Sequence, residues 1–296
     1  MEVQPVSGLP APVLAAHLSS LRQRGHTPGS VEARSRALAR MAGRIGVPLL
    51  EATVADLAAW RAGLTVTGNT VLGYVSHAKD FYGWAVREGL RTTNPAKGLP
   101  VPRLVRGLPR PIGEDALMDA VTTAPARVRP WLVLAGWAGF RACEIAKLRR
   151  ERVLDTASPP ALLVASDATK GSRERVVPMS VFVLTELRLA GLPHTGWVFR
   201  RHDGKHGPNA PWMVSHLANR HLNDCDADAT LHQLRHRFGS SLYKETRDLR
   251  LVQDLLGHQS PETTAGYAAY DRAGALDAVN ALAAPGLQVV RSVKTL

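Results

Sequence analysis

The chain has 296 residues, 45% of them hydrophobic, and a formal net charge of +12. That length holds two ordinary domains with cores of their own, and the apolar content excludes a disordered chain. The cationic excess points to a polyanionic partner, nucleic acid first, although an Arg-rich composition also follows from genome base composition.

Two cysteines, Cys143 and Cys225, form no CxxC pair, so neither a zinc site nor a disulfide framework is expected. A reducing cytosol is then the default compartment. The stretch from Met1 to Pro10 carries an acid and two prolines without an apolar core, unlike a signal peptide. No run approaches the roughly eighteen apolar residues of a membrane span.

In chain order, short helices are predicted at Ala11–Arg24 and Thr53–Ala62, with longer ones at Ser30–Ile45 and Asn69–Glu88. The first long helix takes its start signal from Gly29-Ser30 and its end from Gly46. Val31, Leu38, Met41 and Ile45 share one face, while Arg36, Arg40 and Arg44 form a basic stripe on the opposite one. That stripe reads either as a solvated face or as a grip on DNA. The second long helix takes Asn69 as cap and Gly89 as stop, and buries Val71, Val75, Ala78, Tyr82 and Ala85.

From Asn94 to Pro111 five prolines and the bases Lys97, Arg103, Arg106 and Arg110 mark a linker. The division is therefore 1–96 as a helical domain, 97–111 as a basic linker, 112–284 as a second domain and 285–296 as a tail. The second domain is predicted mainly helical with one small antiparallel β insertion. Helices fall at Pro130–Phe140, Ala142–Arg150, Val181–Leu189, Trp212–Asn223, His232–Glu245, Leu249–Leu256 and Pro261–Tyr270. Strands fall at Ala161–Ala165 and Arg173–Pro178, joined by Thr169–Ser172.

Four short segments carry reactive residue types. They are Gly139-Phe-Arg-Ala-Cys-Glu-Ile-Ala-Lys-Leu148, Thr169-Lys-Gly-Ser-Arg-Glu-Arg-Val-Val-Pro178, His232-Gln-Leu-Arg-His236 and Leu255-Leu-Gly-His-Gln-Ser-Pro-Glu-Thr-Thr-Ala-Gly-Tyr267. Alone, each has a bland reading. Arg141 can cap a neighbouring helix C-terminus, Lys170 can be a solvated edge charge, and Tyr267 can be half-buried core. His232 and His236 have the spacing of a metal pair. The zinc-protease helix needs Glu after the first His, and Gln233 stands there.

Together, in this order, the segments resemble the tyrosine recombinase (phage integrase) family. Its pattern is an Arg in a G-[LF]-R-x-x-E context, a Lys in a β-hairpin, H-x-x-R-H, and L-G-H followed nine residues later by Tyr. Here His258 and Tyr267 stand nine residues apart, and His232 and His258 twenty-six. The resemblance extends into Phe81-Tyr-Gly-Trp-Ala-Val-Arg-Glu-Gly-Leu-Arg-Thr-Thr-Asn-Pro-Ala96, similar to the end of the family's core-binding domain.

The resemblance implies a helical core-binding domain followed by a catalytic domain, and DNA cleavage through a 3′-phosphotyrosine bond made by Tyr267. Arg141 and Arg235 would clamp the phosphate oxygens. Lys170 would protonate the leaving 5′-oxygen, His232 would take the tyrosine proton, and His258 would hydrogen-bond the phosphate. Glu144 and His236 would support them. Two Arg and a Lys supply the charge that a metal supplies elsewhere, so neither metal nor cofactor is expected. Tyr270 is a rival nucleophile, which the nine-residue spacing disfavours.

The implied partners are double-stranded DNA at attachment-type core sites, a homo-tetramer assembled on that DNA, and an accessory directionality protein. About ten residues precede the first predicted helix, so the family's extra arm-binding domain is not expected. Ala268-Ala269 stands after the tyrosine where many members have Thr-His. This favours a phage or mobile-element integrase over an Xer-type dimer resolvase. A DNA-binding protein of the same fold without chemistry, and a relaxing type IB topoisomerase, are the other readings.

Overall fold

A computed structural model describes residues 9–103, 112–165, 174–201, 203–258 and 264. The chain divides into two compact units, Met1–Arg106 and Gly107–Leu296. Among the described residues no helix is long and apolar enough to cross a membrane.

The first unit contains four described helices: α1 (Ala11–Gln23), α2 (Pro28–Ile45), α3 (Val54–Ala62) and α4 (Gly68–Arg87). α2 begins two residues before the predicted Ser30. Thr27 is its cap, its hydroxyl accepting from Ser30 N at 3.3 Å, and Pro28 supplies a pre-set φ at the first position. α4 likewise begins at Gly68, with Thr67 rather than Asn69 in the cap position. α3 carries a full capping box between Thr53 and Asp56.

The predicted stripes are the buried ones. Val31, Leu38 and Met41 of α2 pack with Val71, Val75, Ala78, Tyr82 and Ala85 of α4, and Ile45 is half-buried beside them. The core of this unit runs on through Ala96 and Leu99. Arg36, Arg40 and Arg44 lie on the exposed face of α2. Arg36 pairs with Glu32 at 3.5 Å, and Arg40 donates to the Tyr74 hydroxyl at 2.7 Å.

The second unit is built around α6 (Arg129–Ala138). This helix is apolar on nearly every face because other helices surround it: α5 (Glu114–Thr123), α7 (Ala142–Ala146), α8 (Val181–Leu189), α9 (Pro211–Asp224) and α10 (Leu231–Thr246). α11 (Leu249–Leu256) follows α10. Strands β1 (Val153–Leu154), β2 (Ala161–Val164) and β3 (Arg175–Pro178) form an antiparallel sheet in the order β1-β2-β3. β2 and β3 pair from Ala161 opposite Pro178 to Val164 opposite Arg175. The fold is mainly helical with a small antiparallel sheet, as expected.

Three details depart from expectation. α5 and the two-residue β1 were not predicted, although Leu117, Ala120 and Val121 have helical spacing behind an acidic first turn. α6 ends at Ala138, because Gly139 turns left-handed and Phe140 N bonds back to Leu134 O. The helix expected over Ala142–Arg150 stops at Ala146. Its continuation pairs elsewhere: Val198 N donates to Leu148 O at 2.9 Å and Arg150 N to Gly196 O at 2.7 Å, and a 3-10 turn follows at Arg150–Arg152. Of the helix predicted at Pro261–Tyr270 only Thr264 is described, and it is helical. The Thr169–Ser172 connection and the tail lie outside the described residues.

Candidate active site

The site begins where α6 turns into α7. Gly139 has φ +66°, and a Cβ there would stand 2.5 Å from Phe238 Cδ1 on α10 and 2.9 Å from Leu256 Cδ2 on α11. Only glycine lets these three elements meet. The turn leaves Arg141 in extended conformation as the cap of α7, its backbone N–H donating to Glu144 Oε2 at 2.8 Å. Arg141 and Glu144 are thereby locked together one helical turn apart.

On α10 a capping box between Thr230 and Gln233 sets the helix phase, with Leu231 and Leu234 in the core. The same phase carries Arg235 inward to 1% exposure. His232 and His236, four residues apart, meet edge to face at 4.6 Å between ring centres. α11 stops at the left-handed Gly257, and His258 follows, its N–H bonded to Gln253 O and its carbonyl accepting from Gln253 Nε2.

Glu144 is the hub. Its side chain is fully buried, and three arginines converge on it. Arg175 of β3 grips both carboxylate oxygens, Nη1 to Oε1 at 3.0 Å and Nη2 to Oε2 at 2.9 Å. Arg141 Nη1 donates to Oε1 at 2.9 Å, and Arg235 Nη1 lies 3.7 Å from Oε2. The outer donors of the arginines are tied to helix ends. Arg235 reaches Gly139 O and Leu256 O, Arg175 Nε reaches Leu255 O at 2.8 Å, and Arg141 Nη2 reaches Gly257 O at 3.4 Å. The bland reading of Arg141, a cap on a neighbouring helix end, therefore holds alongside its place in the cluster. Arg141 is the accessible member, with 27% of its side chain exposed.

Burial by itself would raise the Glu144 pKa, but the Arg175 hydrogen bonds and charge, then Arg235 and the Arg141 backbone N–H, bring it below the usual carboxylate value. The carboxylate stays ionised, and three guanidinium groups against it leave a surplus of positive charge. At about 4 Å and an effective dielectric near 20, a unit charge pair is worth roughly 4 kcal/mol, so such a surplus attracts an anion. The same field keeps the histidines neutral. Burial, then Arg235 and Arg141, lower the His258 pKa to about 3. Desolvation, then His236, Arg235 and Arg141, lower that of His232 to about 4, a shift that the exposure of this residue to water tempers. His236 is lowered by burial and then by Arg235. At neutral pH these imidazoles can accept or pass on a proton. His258 Nδ1 lies 3.0 Å from Thr264 Oγ, where either atom can donate.

The fold thus gathers Arg141, Glu144, Arg235, His236, His232 and His258 from segments far apart in sequence. Lys170 and Tyr267, with the rival Tyr270, lie outside the described residues. Arg36, Arg40 and Arg44 belong to the first unit. Sequence reasoning passed over Arg175. A signal was present: in Arg175-Val-Val-Pro178 the strand alternation buries Arg175 and Val177 and exposes Val176 and Pro178, so an arginine points into the core. Among the described residues no group of three or more His, Cys, Asp or Glu side chains is arranged to hold a metal ion.

Residues 113–273 match the model of the phage integrase family. The chain is 30% identical over 242 residues to the tyrosine recombinase XerC of Chromobacterium violaceum, covering 75% of this chain and 77% of that one. It is 32% identical over 260 residues to XerC of Serratia marcescens, covering 79% and 81%. Its fold is similar to that of a lambda integrase dimer bound to a COC′ core site, with TM-score 0.68 and 19% identity over 86% of this chain and 76% of that one. It is also similar to the Tn1549 transposon integrase in complex with transposon right end DNA, with TM-score 0.68 and 16% identity over 91% and 99%.

Proposed function

Because the chain belongs to the phage integrase family of tyrosine recombinases, enzymes that break and rejoin DNA strands, we propose that it recombines double-stranded DNA at specific core sites with Tyr267 as nucleophile. The observation that carries the assignment of roles is the meeting of Arg141 and Arg235 on buried Glu144, with Arg141 also reaching the Gly257 carbonyl just before His258. These groups come from three separate elements, and each is a type that binds a phosphate oxygen.

In the proposed reaction the Tyr267 oxygen attacks the scissile phosphorus and its proton passes to neutral His232. The bond from phosphorus to the 5′-oxygen breaks, and the Lys170 ammonium protonates that oxygen. The products are a 3′-phosphotyrosine and a free 5′-hydroxyl. Rejoining is the reverse, with a 5′-hydroxyl of another strand as attacker. The phosphoryl bond energy is kept, so no nucleotide cofactor is consumed. Arg141 and Arg235 neutralise the non-bridging oxygens. With the Thr264 hydroxyl donating to Nδ1, His258 carries its proton on Nε2 and donates it to the phosphate. Glu144 and His236 hold these groups in place.

The first unit takes the role of the core-binding domain, gripping the duplex with the Arg36, Arg40 and Arg44 face. Residues 97–111 are the linker, 112–284 the catalytic domain and 285–296 the tail. The assembled form is a homo-tetramer on DNA in the bacterial cytoplasm, and a directionality protein selects integration or excision of a mobile element. A nicked suicide DNA tests the chemistry: wild type forms a covalent adduct and Tyr267→Phe forms none. An equal yield from Tyr267→Phe, or no adduct from wild type, overturns the assignment. Sequencing the trapped DNA distinguishes element ends from a chromosomal resolution site.

A further inference from the structure

We propose that Arg175 is a positioning residue that shields the phosphate clamp from Glu144: by occupying both carboxylate oxygens, it leaves Arg141 and Arg235 with their charge available to the scissile phosphate. The inference rests on the reading of Arg141 and Arg235 as that clamp.

Three observations carry it. First, the side-chain pairings with Glu144 differ in number, and Arg235 stands farthest off. Arg175 makes the two-point pairing at 3.0 and 2.9 Å, Arg141 makes one side-chain hydrogen bond at 2.9 Å, and Arg235 lies farther off at 3.7 Å. A bidentate guanidinium–carboxylate pair is the strongest geometry available to Glu144. Second, Arg175 is itself enclosed. Its side chain is 5% exposed, and its Nη1, Nη2 and Nε are all bonded to Glu144 or to Leu255 O, so it is placed to act through Glu144. Third, it is held on its far side. Nε donates to Leu255 O at 2.8 Å, and a Cβ at Gly257 would lie 3.0 Å from its Nη1, so the turn leading to His258 rests on this guanidinium.

The electrostatic consequence is direct. A fully buried carboxylate must be paired. With Arg175 removed, the donors nearest to Glu144 are those of Arg141 and Arg235, and the local surplus of positive charge falls by one. The clamp then serves the carboxylate rather than the phosphate. Lysine at the position would lose the fork but keep the charge and one contact with the carboxylate, so most of the shielding survives.

The test uses the full chain and suicide DNA whose scissile linkage is either an ordinary phosphodiester or a methylphosphonate. The methylphosphonate lacks the charged non-bridging oxygen and needs less positive charge. Arg175→Gln is expected to slow cleavage of the phosphodiester about 100-fold and that of the methylphosphonate less than about 5-fold. Arg175→Lys should stay within about 10-fold of wild type on the phosphodiester. Equal losses on both linkages, or a lysine variant as slow as the glutamine variant, overturn the proposal. Should Arg175→Gln not fold, the lysine variant and the double variant Arg175→Gln/Glu144→Gln decide. The lysine variant must keep its activity, and the double variant, having no unpaired carboxylate, must fold and cleave the phosphodiester; failure of either overturns the proposal. Wild type and Tyr267→Phe run alongside. Failure of those controls overturns the recombinase chemistry, whereas normal controls with an unselective Arg175→Gln overturn this inference alone.

Discussion

At the scale of single residues, the fold fixes protonation states. His258 and His232 lie below their ordinary pKa of 6.5, at about 3 and about 4, and in the first unit burial lowers His17 to about 4. A folded pKa below the unfolded one means that the unfolded chain binds more protons as pH falls. Stability from these groups is whole above about pH 6.5 and is lost progressively toward pH 4. The thermal midpoint of the DNA-free chain should therefore be level above pH 7 and fall between pH 6.5 and 4. A midpoint rising over that interval would contradict neutral histidines in the fold. Thr264 offers a second test. Thr264→Val removes the partner of His258 Nδ1 and should lower single-turnover cleavage about 10-fold with DNA binding unchanged in a gel shift. Arg175 shows why part of the site is only half legible in the sequence: the alternation of Arg175-Val-Val-Pro178 allows the arginine on either face, and only its burial decides which.

At the scale of elements, the α6–α7 turn holds the site together. Gly139→Ala places a Cβ against Phe238 and Leu256 at a left-handed φ, combining backbone strain with overpacking. A loss of about 2–4 kcal/mol is expected from denaturant unfolding, with loss of the covalent adduct in parallel. A stable, active alanine variant would mean that α10 and α11 can move apart. The helices themselves were largely legible. α8 and α11 fall at their predicted bounds, and the buried stripes of α2 and α4 follow the apolar periodicity. The failure at Ala142–Arg150 has a tertiary cause. Leu148 and Arg150 bond to the 196–198 segment, and that pairing overrides a local pattern that reads as helix.

At the scale of the whole molecule, charge governs the partner. Each DNA phosphate that the protein no longer neutralises should reduce the slope of log affinity against log salt by about 0.9. Arg36→Ala and Arg44→Ala are each expected to flatten the salt dependence of DNA binding by about that amount while leaving adduct chemistry on bound DNA intact. An unchanged slope would make the α2 face a solvated surface. The sequence by itself determined the family and the mainly helical fold and named the candidate residues for the chemistry, because residue type, spacing and periodicity are local quantities written along the chain. The tertiary structure alone decided that Glu144 is a fully buried hub, that Arg175 holds it, that Arg235 is enclosed while Arg141 is accessible, and that Thr264 faces His258. Those are matters of burial and of pairing between distant segments, where a charge is stable only if another element brings its partner.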